Sequence, residues 1–151
     1  MNEVLFNQVI EKVTSLDQQQ IKNTTLAFLK EFVSDYQECC KVKNIGIDIS
    51  LFGDILTVPF LTDFDLDDAE YDLYVDMMNV LSSYVYDKQS LKENASQIKA
   101  QAEAGTTSAI KAIGTIFPSL IEKLFVVVVG VFAINGKLSH AEKVYLQRTF
   151  L

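Results

Sequence analysis

The sequence predicts an all-α fold, six or seven helices forming a single domain over 1–151. Three observations predict it. Apolar residues recur at helical spacing along most of the chain, capping signals open several of the apolar runs, and one short turn motif occurs twice. Hydrophobic residues make up 49% and aromatics 11%, enough for a core and too many for a disordered chain. No linker or low-complexity stretch divides the chain.

Leu5, Phe6, Val9, Ile10, Val13 and Leu16 form the apolar stripe of a first helix. Ser15-Leu16-Asp17-Gln18 reads as a Ser-x-x-Gln capping box. It opens a second helix carrying Ile21, Leu26, Leu29, Phe32, Val33 and Tyr36. From Ile45 to Leu51 the period drops to two, a strand pattern. It has no partner of similar quality and reads as an extended connector. The apolar segment 50–61 suits a helix. A long helix follows the acidic run at 63–70 and continues to about Tyr86, with Leu66, Ala69, Leu73, Met77, Val80 and Tyr84 on one stripe. Another covers roughly 89–114, with a candidate break at Gly105-Thr106-Thr107. Pro118 suits the first turn of a helix over 118–134. Its four valines, 126–129, favour a strand by propensity, but the length and flanks are helical. That apolar run, Leu124 to Ile134, is eleven residues, whereas a membrane span needs about 20. It predicts a buried core helix. A last helix starts near Ser139.

A shift of 72 positions lays 58–70 over 130–142. Phe60/Phe132, Leu66/Leu138, Ala69/Ala141 and Glu70/Glu142 are identical, and Asp63/Asn135 and Asp67/Ser139 are similar. Each copy reads as helix end, tight turn, apolar plug, N-cap and new helix, a duplicated helix–turn–helix unit. Asp67 with Glu70, and Ser139 with Glu142, have the spacing of capping boxes, preceded by Leu66 and Leu138 as hydrophobic staples. This structural role accounts for the motif without a ligand.

Ala133-Ile134-Asn135-Gly136-Lys137-Leu138-Ser139-His140-Ala141-Glu142 resembles the signature of the TerB-like (tellurite-resistance) family. That family typically carries Ala-Asp-Gly-x-apolar-Ser/Asp-x-x-Glu after an apolar helix, often twice per domain. Asn135 stands where the family usually has Asp, and Phe64 where it usually has Gly. The resemblance implies an all-helical domain with a pseudo-twofold arrangement. It also implies a metal-binding acidic surface and a role in stress-response assemblies near the membrane.

The chain carries 13 Lys and Arg against 20 Asp and Glu, a net charge of −7. That balance argues against nucleic acid or anionic lipid as the main partner, since both need cationic surface. Between Asn44 and Asp87 there are ten acids and no Lys or Arg, which leaves the remainder at about +3. Asp68, Asp72 and Asp76 share one narrow helical stripe, where like charges four apart repel. With Asp63 and Asp65 they form a candidate site for a hard divalent cation, Ca²⁺ or Mg²⁺. The same stripe also suits a solvated face, a basic partner, or the lysines at 88, 92 and 99. Asp63-x-Asp65-x-Asp67 imitates an EF-hand opening, but Asp68, Glu70 and Tyr74 break the pattern where Gly, an apolar residue and Glu belong.

His140 is the sole histidine, and Cys39 and Cys40 are the only cysteines. Adjacent cysteines rarely bridge. No glycine-rich phosphate loop, Cys/His metal cluster or nucleophile elbow occurs, so no enzyme is expected. The N-terminal residues lack a signal-peptide pattern, and a cytoplasmic location is expected. Two functions stay open. One is a TerB-like stress-response or regulatory domain, with a protein partner near the membrane and a divalent cation on its acidic surface. The other is a ligand-free interaction module whose acidic face docks a basic partner.

Overall fold

The predicted apolar stripes lie on helices, with Leu16, Leu66 and Tyr84 falling beyond the helix ends. In this computed structural model, which describes residues 1–45, 48–62 and 66–151 without the side chains of 51 and 101–104, the described residues form seven α-helices and two 3-10 turns. These are α1 (Glu3–Thr14), α2 (Gln18–Lys43), α3 (Phe52–Phe60), α4 (Asp68–Leu81), α5 (Lys88–Ile116), α6 (Ile121–Ala133) and α7 (His140–Phe150).

The apolar run of α6 is the centre. Leu124, Phe125, Val127, Val128 and Val129 are fully buried, so tertiary packing overrides the strand propensity of the valines. α2 packs most extensively against α6. The two helices approach closely at Gly130, where a Cβ would overlap the Thr25 side chain. Thr25 is buried and its hydroxyl donates back to the Ile21 carbonyl at 2.7 Å, which satisfies it inside its own helix. α1 covers another part of α6, with Phe6 stacked on Phe125 at 5.0 Å. α4 packs on α2, α5 lies along α3, and α7 closes against α5 and α6. Among the described residues no helix is long and apolar enough to cross a membrane alone.

Several boundaries depart from the sequence reading. The capping box that opens α2 is Asp17 with Gln20. Asp17 Oδ1 accepts from the Gln20 N–H at 2.8 Å, and Gln20 Oε1 accepts from the Asp17 N–H at 3.0 Å. Ser15 still belongs to the end of α1: its N–H donates to Glu11 and its hydroxyl to the Lys12 carbonyl. α4 stops at Leu81, five residues short of Tyr86, because Ser82 adopts a left-handed conformation with φ of 53°. The N–H groups of Ser82 and Ser83 then bond back to Asn79 and Met78, closing the helix end. α5 runs unbroken through Gly105. Pro118 opens a 3-10 turn, Pro118–Leu120, ahead of α6. Of the alternating segment 45–51, positions 46 and 47 lie outside the described residues. Ile49–Leu51 forms a 3-10 turn capped by Asp48, whose carboxylate accepts from the Ser50 N–H at 3.0 Å.

The two aligned segments take the same local form where described. Both capping boxes are present: the Glu70 N–H donates to Asp67 at 2.8 Å, and the Glu142 N–H donates to Ser139 at 3.2 Å. Leu66 is buried and Leu138 partly so. One bond joins the segments: Asn135 Nδ2 donates to Glu70 Oε1 at 3.3 Å. Both glutamates are buried. The helices ahead of the turns differ, nine residues with Pro59 in α3 and thirteen in α6.

Candidate functional site

The acidic stripe on α4 is largely neutralised from within. Asp68 is paired with Lys88, which stands at the start of α5. The Lys88 amine bonded to it holds the Asp68 carboxyl below the ordinary carboxylate range, and the Lys88 amine is raised in turn. Asp76 pairs with Lys22 of α2 at 3.1 Å. Asp72 is exposed on an open cleft of about 500 Å³, shared with Asp17, Lys22 and Ile134. Asp63 and Asp65 lie outside the described residues. Among the described residues no three acidic, histidine or cysteine side chains gather as metal ligands. Ca²⁺ takes about 6–8 oxygens, and a single helix face with two of its three carboxylates held by lysines does not fit that demand.

A site that the stripe did not announce lies at the far end of α4. The connector 82–87 is irregular yet fixed by three bonds from side chains to backbone. The Tyr71 hydroxyl donates to the Tyr86 carbonyl at 3.1 Å. The Tyr86 N–H donates to the hydroxyl of fully buried Tyr74 at 3.0 Å. The Ser83 hydroxyl donates to the Ser50 carbonyl. Glycine at 53 permits this approach, since a Cβ there would overlap Ser83. Burial pushes the Tyr74 hydroxyl up, the Tyr86 bond working against it, so it stays a neutral phenol at neutral pH. Asp87 then caps α5 through the Ser90 N–H and hydroxyl, which hold its carboxyl down.

On this pinned connector Tyr84 is 75% exposed, with its ring edge-to-face on Tyr86 at 4.8 Å. Tyr86 in turn walls a cleft of about 420 Å³ between α3 and α5, with Asp54, Ile55, Thr57, Ile98 and Gly105. Asp54 is exposed, and no ion pair holds it among the described residues. The Thr57 hydroxyl is committed to the Gly53 carbonyl at 2.6 Å. Thus an aromatic edge, two aliphatic walls and a carboxylate share one opening.

A cleft of opposite character lies by α7. It measures about 310 Å³ and is lined by Thr62, Lys99, His140, Val144, Tyr145 and Arg148. Lys99 Nζ donates to the Thr62 carbonyl there at 3.4 Å. His140 is exposed in the first turn of α7. Cys39 and Cys40 are both free thiols.

The sequence reading missed Tyr84, Tyr86 and Asp54. A helical stripe absorbs Tyr84 as a core position. The local signal against that is slight: Ser82-Ser83, side chains that compete with helix, follows Leu81.

No protein-family profile, curated protein or solved structure matches this chain.

Proposed function

We propose that the chain is a helical interaction module whose acid-rich sector, 44–87, docks a basic protein partner. The observation that carries this reading is Tyr84, a large aromatic side chain exposed to solvent on a connector with three fixing bonds. An exposed tyrosine on a rigid support loses little conformational entropy on binding, and tyrosine is enriched among the residues that dominate interface energies. In the same sector Asp54, Asp72 and Asp87 are exposed and in no ion pair among the described residues, which favours a cationic partner and speeds its encounter. The resemblance to the TerB-like family supports a regulatory role in a stress-response assembly of the cytosol.

The test is binding of Lys/Arg-rich peptides, compared with neutral and acidic peptides of equal length, at low and high salt. The reading expects selective, salt-weakened binding that Tyr84→Ala reduces. Equal binding of all three peptide classes, or none, overturns it. The divalent-cation reading, with Asp63, Asp65, Asp68, Asp72 and Asp76 as its residues, rests on the resemblance alone. It expects millimolar Ca²⁺ or Mg²⁺ to raise the melting temperature by linkage, and an unchanged melting temperature rejects it.

A further inference from the structure

We infer that the cleft between α3 and α5 is a subsite for one lysine or arginine side chain of the docked partner, an inference that rests on the docking reading above. The chemistry of the walls selects that class of occupant. Ile55 and Ile98 offer aliphatic surface of the kind that the methylene stem of a long basic side chain covers. Tyr86, braced by Tyr84 at 4.8 Å, supplies an aromatic ring for the cationic head. Asp54 supplies the counter-charge at the same opening, and among the described residues no lysine or arginine lines the cleft. An anionic ligand would face Asp54. The volume, about 420 Å³, lies in the range of about 300–1,000 Å³ typical of sites for small ligands.

Gly105 makes the inference testable. A Cβ at this position meets nothing within 4 Å, so a large side chain there enters open space rather than the core. Full-length protein labelled with ¹⁵N is titrated with the blocked amides of arginine and lysine, with blocked norleucine as the uncharged control. The expected result is a saturable shift of the Tyr86, Ile98 and Gly105 amides with the two basic amides only, removed by Asp54→Asn and by Gly105→Phe. Circular dichroism verifies that both variants remain folded, and Gly105→Ala serves as the small-residue control. For a Lys/Arg-rich peptide, the same two variants should weaken binding by about tenfold, as expected for an interaction worth about 1.4 kcal/mol. Peptide binding unchanged in both variants overturns the subsite and leaves the docking reading standing. Absence of peptide binding overturns the docking reading, and the blocked amides then judge the cleft alone. Shifts that norleucine also produces overturn the cationic specificity.

Discussion

At the scale of single residues, Tyr36 and Gly105 show how one atom sets a cost. The Tyr36 hydroxyl is buried without a hydrogen-bond partner. Burial, reinforced by the neighbouring Cys40 thiol, drives its pKa upward. Its ring packs edge-on against Phe52 at 4.9 Å and Phe117 at 5.7 Å, contacts that phenylalanine keeps. Tyr36→Phe should therefore match or exceed the parent in stability, by up to about 1 kcal/mol, because an unsatisfied buried hydroxyl is removed. A loss of about 1 kcal/mol in denaturant unfolding would instead reveal a bond from Tyr36 to Cys40. Gly105 sits inside α5 with open space where its Cβ would be. Gly105→Ala should raise stability by roughly 0.5–1 kcal/mol, since glycine inside a helix loses more backbone freedom than alanine. A midpoint shifted upward with unchanged slope is the expected observation.

At the scale of elements, Gly130 fixes how closely α2 and α6 approach. Gly130→Ala places a methyl group on Thr25 and should cost about 1–3 kcal/mol by overpacking. Thr25→Ala removes the obstructing atoms, so the double variant should lose less than the two single losses added together. Unfolding midpoints of the four proteins measure that coupling. The helices were legible because their stripes are long and strongly periodic: α1, α2, α4 and α6 all carry apolar residues at helical spacing. The box at Ser139 was legible because its spacing is local. The end of α4 was not, since the connector that follows Ser82 is held through Ser83 and Tyr86 by Ser50, Tyr71 and Tyr74, partners distant along the chain. The lysine at 88 was foreseeable as a neighbour of the stripe, but Lys22 was not, because its meeting with Asp76 depends on how α2 crosses α4. The cleft on Tyr86 was invisible for the same reason, being assembled from α3, the connector and α5.

At the scale of the whole molecule, ionisation bounds stability from both sides. Asp68 and Asp87 have lowered pKa values in the folded state, so their contribution is present above the unfolded carboxylate pKa of about 4. It is lost as the pH falls through the folded values. Tyr36 and Tyr74 have raised pKa values, so their contribution is present below the unfolded tyrosine pKa of about 10 and is lost as the pH rises above it. The melting temperature should therefore decline under acid and again under alkali, the alkaline fall coinciding with tyrosinate absorbance. Ionisation of buried Tyr36 or Tyr74 well before unfolding would contradict the assignment. The bond from the Tyr86 amide to Tyr74 has a consequence in isotope exchange. An irregular connector ordinarily trades its amide protons with solvent deuterium almost freely. This amide is anchored on a hydroxyl whose ring is fully enclosed by the core, so its proton escapes only when that core opens. In a deuterium pulse, Tyr86 should retain its proton on the timescale of the α6 amides, while Tyr84, two residues earlier and turned to solvent, loses its own at once.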